Sequence, residues 1–234
     1  MSSKENSYGL KEEWKSVEET LLNVIPVYDK VNRYISLGAD LKLRKEGLQL
    51  LEKAAGADST IVDLGSGPGK MSELLGKTSI MVDALLPMMR VALQKNKSSE
   101  GLIAVYENLP FKDASVGAAM AGFAIRDARN LNAALHEVSR ILIRSGYFLI
   151  VDLSKPDSDL KRGLVGIYWR AFAPMIAFFA AGRLGLQFAA LSKTFKKLPT
   201  NSKFLELAKG AGLDLASSKY HVLSGASVIL LKKS

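Results

Sequence analysis

The sequence predicts an α/β fold: a doubly wound, mostly parallel seven-stranded sheet with an antiparallel last strand, N-terminal helices and an inserted helical lid. Three observations support this prediction. Short β-branched or apolar runs alternate with helical runs between Thr60 and Pro156, which is typical of parallel strands joined by helices. Apolar residues recur at helical spacing before that region. Two extended segments close the chain.

The first 58 residues are predicted to be helical. Leu21, Leu22, Ile25 and Tyr28 recur at three- and four-residue spacing, and the segment 41–51 repeats the pattern. Such spacing places apolar side chains on one face of a helix. We therefore expect two or three helices ahead of the sheet.

Residues 59–156 are predicted to form the core of the sheet. Five strands are expected, at the runs IVDL, SIMVDA, LIAVY, VGAAMAGFA and GYFLIVDLS. Helical runs such as MMRVALQK and NLNAALHEVSRILI separate several of them. Helical crossovers of this kind cover both faces of a parallel sheet.

The last 78 residues divide into a lid and a hairpin. Residues 157–212 look inserted between strands, and we predict a helical lid or substrate region there. Residues 213–234 contain LDLASSKYHV and SVILLKKS, joined at 223–225, which predicts an antiparallel pair at the sheet edge. The whole chain is predicted to be one domain.

Composition excludes several kinds of site. The sequence has no cysteine and only two histidines, His136 and His221. Disulfides, Cys-ligated zinc and cysteine nucleophiles are therefore excluded, and a metal-free mechanism is expected. The polar N-terminus lacks the apolar core of a secretory signal, so a cytoplasmic location is expected.

The net charge of +9 is concentrated at one end of the chain. Residues 157–234 carry 12 basic and 4 acidic side chains. This excess suits an anionic membrane surface, an acidic ligand or nucleic acid, or simply keeps a solvated surface soluble. Basic residues are not interleaved with aromatic ones in a strip, so nucleic acid is not an expected partner.

A glycine-rich segment, DLGSGPG from Asp63 to Gly69, follows a β-branched strand and precedes a helical run. Glycine lets the backbone turn sharply and approach a ligand closely. The spacing G-x-G-x-G differs from the G-x-G-x-x-G of dinucleotide sites, which disfavours an NAD-dependent oxidoreductase. The loop resembles the first motif of class I S-adenosylmethionine-dependent methyltransferases. The resemblance implies that Asp63 orders the loop or binds the cofactor's ammonium group.

Asp83 stands twenty residues after Asp63, at the end of the next predicted strand. A carboxylate there can accept hydrogen bonds from both hydroxyls of a ribose. We therefore assign Asp83, with the adjoining Ala84, to the ribose of the cofactor.

Five further segments carry a closer resemblance. They are YDKVN from Tyr28, ENLPF from Glu107, FAIRD from Phe123, HEVSRIL from His136 and VDLSKP from Val151. In this order and at these intervals they resemble UbiE-type C-methyltransferases of ubiquinone and menaquinone biosynthesis. The similarity covers roughly residues 20–234.

The resemblance implies a Rossmann-like enzyme that methylates a ring carbon of a lipid-linked quinol with S-adenosylmethionine and no metal. The cofactor-binding residues that it implies, beyond Asp63, Asp83 and Ala84, are Gly65, Ser66, Gly67, Pro68, Gly69, Val105, Tyr106, Glu107, Gly122 and Phe123. The chain departs from the family pattern at Val105, Ala124, Asp127 and 144–146. Another small-molecule or lipid acceptor, and a cofactor-binding module without enzymatic activity, remain the alternatives.

Three residues are the candidates for catalysis. Arg126 is expected to hold a developing phenolate, because its fixed charge and forked donors suit an oxyanion. Asp127 would orient Arg126 or accept a proton, and the alternative is that the two form a loop-stabilising ion pair. By the family resemblance Tyr28 closes over the cofactor, and the alternative is that it simply packs in the core.

Residues 163–197 combine large apolar side chains with Lys193, Lys196 and Lys197. Apolar surface beside lysines favours peripheral contact with a membrane. A packed lid and a homodimer interface are the alternatives. The longest uncharged run, Ala171 to Gly182, has 12 residues and contains Pro174, which is too short to span a bilayer core of about 30 Å.

Overall fold

The computed structural model describes residues 8–11, 13–56, 59–223 and 225–234, and it describes the side chains of all of these except 189–193. Ser224, in the predicted hairpin connection, lies outside the described residues, as does the polar segment 1–7.

Seven strands form one mixed sheet. They are β1 (Ile61–Leu64), β2 (Ile80–Asp83), β3 (Glu100–Ile103), β4 (Val116–Gly122), β5 (Leu142–Leu153), β6 (Leu213–His221) and β7 (Ala226–Lys233). Their order is β3-β2-β1-β4-β5-β7-β6. Strands β1 to β5 pair in parallel, and β7 runs antiparallel between β5 and β6. The predicted mostly parallel sheet with an antiparallel last strand is confirmed.

The described helices surround this sheet. They are α1 (Trp14–Val24), α2 (Tyr28–Ile35), α3 (Ala39–Ala55), α4 (Lys70–Leu75), α5 (Leu86–Lys95), α6 (Leu131–Ile141), α7 (Asp159–Ile167), α8 (Ala173–Ala181), α9 (Arg183–Leu186), α10 (Leu191–Lys197) and α11 (Asn201–Gly210). A π-helical segment, Tyr168–Phe172, joins α7 to α8.

Both faces of the sheet are covered because alternate residues of each strand point to opposite sides. Val62 and Leu64 of β1 pack in a cluster with α6, whereas Ile61 packs in a second cluster with α3 and α4. Gly47 lets α3 lie close to β5, since a Cβ there would come within 2.7 Å of Val151 Cγ2. The result is a three-layer α/β/α arrangement.

Strand order places the site. The order reverses between β1 and β4, and in doubly wound sheets ligands bind at the carboxyl ends of the strands at such a switch point. The N-terminal helices cover this edge: Leu21 of α1 packs with Leu85 and Met88, which follow β2. The backbone N–H of Leu10 also donates to the Ala128 carbonyl over 3.0 Å.

The predicted lid at 157–212 includes α11, which packs apart from the other helices of that region. Helix α11 packs against α6 and β6, and its Ala208 is fully buried in the cluster on the α6 face of the sheet. It is therefore a core helix. The remaining lid helices pack mainly on α1 and α2 instead, with Ala173 and Ala177 of α8 against Val31 and Ile35.

The stretch Asp159–Ala181 is one continuous 23-residue helix. By length and composition alone it is long and apolar enough to cross a membrane. The sequence interpretation counted only the uncharged run and missed this, because the helix continues through Arg170. Little of its most apolar window is buried, about 22%, so the helix exposes an apolar surface.

Candidate active site

The glycine-rich loop turns at the carboxyl end of β1. Gly65 and Gly67 have φ angles of 63° and 53°, a region that residues with a Cβ rarely adopt. The backbone N–H of Gly67 donates to Asp83 Oδ2 over 2.8 Å, and the N–H of Leu85 donates to Asp83 Oδ1 over 2.8 Å. Asp83 therefore fastens the loops after β1 and β2 together. Burial raises the pKa of Asp83, and these two hydrogen bonds oppose the rise.

Asp63 lies beneath the loop. Its Oδ2 accepts hydrogen bonds from the Ser72 backbone N–H (3.2 Å) and hydroxyl (2.8 Å), whereas its Oδ1 is buried without a hydrogen-bond partner. Burial raises the pKa of Asp63 to about 7, although Ser72 and the charge of Arg44 act in the opposite direction. Asp63 holds the start of α4 in place and is outside the lining of the cavity that lies above the loop.

A cavity of about 70 Å³ lies above the loop and is called the cofactor cavity below. Ten of the residues predicted for the site line it: Tyr28, Gly65, Gly67, Asp83, Ala84, Val105, Tyr106, Glu107, Phe123 and Asp127. The remaining predicted cofactor residues, Asp63, Ser66, Pro68, Gly69 and Gly122, lie outside its lining. Gly69 instead faces Ala92 and Asn96 of the neighbouring helix region.

The sequence interpretation missed several lining residues of the cofactor cavity. They are Trp14, Leu21, Leu64, Val82, Leu85, Met88, Ala104, Leu109, Ala124, Ala128 and Arg129. Trp14 stacks with Arg129, whose Cζ lies 4.8 Å from a Trp14 ring centroid. The helical spacing predicted α1, but no motif indicated which edge of the sheet it covers.

Tyr106 crosses the cofactor cavity. Its hydroxyl donates to the Leu64 carbonyl over 2.8 Å and lies 2.5 Å from the position that a Cβ on Gly65 would take. The ring thus occupies space above the loop, and the cavity is smaller than the ~300 Å³ expected of a ligand pocket. The Asp83 carboxylate and the open surface over Gly67 suit a nucleoside with an amino acid tail, provided that Tyr106 turns aside.

A second cavity, of about 280 Å³, is called the acceptor cavity below. Its walls are mostly apolar and come from α2, α3, the lid and the β6–β7 connection, including Ile35, Leu43, Leu164, Tyr168 and Leu223. Phe123 lines both cavities. The two cavities therefore share a wall at Phe123, at the carboxyl end of β4.

Phe123 has an unusual backbone at this shared wall. Its φ is 58°, which costs free energy for a residue with a side chain and is found most often at functional sites. Its N–H donates to the Val151 carbonyl over 2.6 Å. The neighbouring strand thus holds the Phe123 ring between the cavities.

Arg126 and Asp127 follow Phe123 and point to different places. Arg126 lines the acceptor cavity, and Asp127 lines the cofactor cavity. Arg126 Nη1 lies 2.7 Å from Asp152 Oδ1, and its Nε lies 3.7 Å from Asp127 Oδ1. Burial alone would lower the pKa of Arg126, but the two carboxylates raise it above its ordinary value. Burial raises the pKa of Asp127 to about 6, against the effect of Arg126.

Arg44 is a buried cation that the sequence interpretation missed. Its Nη1 donates to the Gly122 carbonyl over 3.3 Å, and its Cζ lies 4.8 Å from the Phe123 ring centroid. Burial lowers the pKa of Arg44. A signal was present in the sequence, since Arg44 stands four residues before Leu48 on the apolar stripe of a predicted helix.

Tyr28 and Glu107 also have structural partners. The Tyr28 ring lies 6.1 Å from that of Phe188, so Tyr28 both lines the cofactor cavity and packs against the lid. Burial raises the pKa of Tyr28. Glu107 Oε1 accepts a hydrogen bond of 2.8 Å from the Asn130 backbone N–H, which supports the turn that precedes α6.

Comparison with known protein families gives a match over most of the chain. The model of the ubiE/COQ5 methyltransferase family matches residues 8–232. Among similar proteins, the ubiquinone/menaquinone biosynthesis C-methyltransferase UbiE of Syntrophotalea carbinolica is 28% identical, covering 81% of this chain and 82% of its own. The 2-phytyl-1,4-naphtoquinone methyltransferase of Nostoc punctiforme is 26% identical, covering 92% and 96%.

Solved structures agree on the fold. A methyltransferase of Thermotoga maritima, described as dependent on S-adenosylmethionine, superposes with a TM-score of 0.62 at 18% identity, covering 92% of this chain and all of that one. The [4+2]-cyclase SpnF superposes with a TM-score of 0.59 at 11% identity, covering 81% and 80%. Likeness at such identities shows the fold alone. From the family match and the site, this chain belongs to the ubiE/COQ5 methyltransferase family and is an S-adenosylmethionine-dependent methyltransferase.

Proposed function

We propose that this enzyme methylates a ring carbon of a lipid-linked quinol. The observation that carries the proposal is the apolar acceptor cavity of about 280 Å³, which shares a wall with the cofactor cavity at Phe123. Its size suits a bicyclic or substituted ring. The names of the relatives, which include a demethylmenaquinone methyltransferase of Thermotoga maritima, support the same acceptor class.

S-Adenosylmethionine, when bound, supplies an electrophilic methyl group. Asp83 would hold the ribose, and the backbone of Gly65 and Gly67 would lie under the methionine part. Phe123 would set the position of the acceptor ring next to the cofactor cavity. The apolar walls exclude water, which favours transfer to carbon over loss of the methyl group to solvent.

We propose that Arg126 positions the site and that Asp127 accepts the proton, whereas the sequence suggested that Arg126 binds the phenolate. The charge of Arg126 is compensated by Asp152 at 2.7 Å, which favours a positioning role over binding of a phenolate. Asp127 is ionised at neutral pH, because its pKa lies at about 6, and a base of that strength suits proton acceptance. Tyr28 would close the cofactor cavity from above.

The exposed surface of the lid supports a peripheral membrane contact. Phe179 of the lid is 80% exposed, and Leu37, between α2 and α3, is 82% exposed. Leu37 also lines the acceptor cavity. Arg170, Arg183 and Lys196 are exposed on the same lid. Apolar side chains among cations fit an anionic lipid surface, from which a lipid-linked ring would enter the cavity.

The acceptor is tested by methyl transfer to a short-tailed demethylmenaquinol, with mass spectrometry of the product. We expect one added methyl group per ring with the natural chain. Leu164→Trp, which fills the acceptor cavity, should abolish transfer and leave S-adenosylhomocysteine binding unchanged. Leu160→Trp, on the exposed side of the same helix, should leave both unchanged. Cofactor binding without transfer to any quinol would refute the proposed acceptor.

Membrane contact is tested by co-sedimentation with anionic phosphatidylglycerol vesicles. We expect the natural chain to sediment with them and Phe172→Ser/Phe179→Ser to lose most of this binding. Leu215→Ser, on the edge strand β6 and also exposed, is the matched control. Equal sedimentation of all three proteins would contradict the proposal. Dimerisation that the double substitution abolishes, without vesicle binding, would assign the surface to a second copy.

A further inference from the structure

We infer that Arg44 is the anion-binding residue of the acceptor cavity and holds the ionised oxygen of the acceptor ring. The inference rests on the proposed function, because it concerns the ring that the acceptor cavity takes. It assigns to α3 a role that the sequence interpretation gave to Arg126.

Arg44 carries a buried charge that forms no ion pair within the described part of the chain. Its side chain is 6% exposed, and no described carboxylate lies within 4.0 Å of it. The acids whose charges reach it, Asp63, Asp40 and Asp29, lie beyond ion-pair distance. A buried cation without an ion-pair partner is costly. An anionic ligand would offset that cost.

Arg126 provides the contrast within the same cavity. Two carboxylates surround it, with Asp152 at 2.7 Å and Asp127 at 3.7 Å. An acceptor phenolate beside Arg126 would therefore meet two negative charges as well. Asp40 lines the acceptor cavity as well, and its charge reaches Arg44, but it forms no ion pair with it. Of the two arginines in the described lining, Arg44 is the one without an ion-pair partner.

The geometry directs Arg44 to the reacting end of the cavity. Its guanidinium lies over the Phe123 ring, with Cζ at 4.8 Å from the centroid, and Phe123 is the residue that lines both cavities. Stacking on a ring leaves the donors at the edge of the guanidinium available. Nη1 uses one hydrogen bond to the Gly122 carbonyl, and the buried Nε has no partner.

Gly122 is part of this arrangement. A Cβ at position 122 would collide with Arg44 Nη1 and with the side chain of Met71. Any larger residue would push the guanidinium away from the end of β4. The absence of a side chain at Gly122 therefore lets the Arg44 guanidinium lie at the end of β4.

These features define the chemical class of the ligand. It is a flat aromatic ring with an ionised hydroxyl near Arg44 and an apolar tail that leaves past Leu37, Leu164 and Val222, which line the same cavity. A ring carbon next to an ionised hydroxyl is electron-rich. A residue that stabilises the ionised form therefore increases the fraction of acceptor that can react.

Binding of two naphthoquinones tests the inference without turnover or cofactor. At neutral pH 2-hydroxy-1,4-naphthoquinone is an anion, and 2-methoxy-1,4-naphthoquinone is neutral with nearly the same shape. We expect the natural chain to bind the anion at least tenfold more tightly by calorimetry. Arg44→Met should bind the two equally, Arg44→Lys should keep part of the preference, and Arg170→Met, an exposed lid control, should keep all of it.

A spectroscopic measurement on the natural chain tests the inference without relying on a variant that could fail to fold. The visible absorption of the bound hydroxyquinone reports its ionisation, and the natural chain should lower the pKa of the bound hydroxyl below that of the free compound. A bound pKa at or above the free value, equal affinities in the natural chain, or an unchanged preference in a folded Arg44→Met would overturn the inference. If the preference for the anion holds but no quinol is methylated, the proposed acceptor fails and Arg44 remains the anion-binding residue.

Discussion

Arg126 donates from Nη1 to Oδ1 of Asp152 over 2.7 Å, and this ion pair joins the turn after β4 to the end of β5. Both side chains are almost fully buried, at 4% and 3% exposure. The Arg126 backbone N–H donates to the other Asp152 oxygen over 3.3 Å. The pair therefore fixes the backbone beside Phe123 as well as neutralising a buried charge.

Removal of Arg126 should mainly destabilise the protein. Arg126→Met leaves Asp152 as an unpaired buried charge, so we expect a loss of about 3–5 kcal/mol in the free energy of unfolding. Arg126→Met/Asp152→Leu should recover most of it. Lys203→Met breaks an exposed ion pair and should cost less than ~1 kcal/mol. Urea unfolding measures all three, and a double variant no more stable than Arg126→Met would contradict the explanation.

Asp83 should dominate cofactor affinity. Its carboxylate holds the N–H groups of Gly67 and Leu85 and keeps lone pairs for the ribose hydroxyls. We expect Asp83→Ala to weaken S-adenosylhomocysteine binding at least tenfold, about 1.4 kcal/mol. The affinity of Asp83→Asn should lie between those of the natural chain and Asp83→Ala. Glu73→Ala, an exposed carboxylate on α4, is the calorimetric control. Equal dissociation constants for all variants would remove Asp83 from the site.

Tyr106 should limit entry of the cofactor. Its ring lies over Gly65 and its hydroxyl is bonded to the Leu64 carbonyl, so the ring has to leave before the cofactor can settle on the loop. Tyr106→Ala should raise the association rate constant of S-adenosylhomocysteine severalfold, as measured by stopped-flow fluorescence. Tyr106→Phe removes only the hydrogen bond and should give a smaller rise. A slower association in Tyr106→Ala would show that the ring assists binding.

Asp127 predicts a pH profile. Its carboxyl is protonated below a pKa of about 6, which burial raises from the ordinary value. If Asp127 accepts the proton of the acceptor, kcat/KM should fall as the pH drops through about 6. In Asp127→Asn the activity should be low and that inflection absent. The inflection persisting in Asp127→Asn would assign it to another group.

Asp63 should make the stability of the protein fall as the pH rises, whereas Asp127 should make the activity fall as the pH drops. Burial raises its folded pKa to about 7, above the ~3.9 of an unfolded chain. Its contribution is therefore fully present below the unfolded value and is lost as the pH rises through about 7. Between pH 5 and 8 the free energy of unfolding of the natural chain should fall relative to that of Asp63→Asn. If urea unfolding gives the same change in the free energy of unfolding with pH for both proteins, the assignment is refuted.

The local pattern of the sequence predicted most of the sheet. Alternating runs placed β1, β2, β4 and the closing β7 close to their observed bounds, because strands buried on both faces need continuous apolar residues. The sequence did not separate α11 from the other helices of the predicted lid. The apolar face of α11 looks the same in sequence whether it packs on the lid or on α6, and only the path of the chain decides between them.

Some features of the candidate site could be predicted from the sequence, and others only from the structure. The sequence by itself determined the glycine-rich loop, Asp83 and the family, because these depend on backbone turns and on residues next to strand ends. Only the tertiary structure decided that Asp152, 26 residues away, neutralises Arg126, and that Arg44 reaches the Phe123 ring from α3. Ion pairing and burial depend on distances between segments far apart in the chain, and local sequence patterns do not contain those distances.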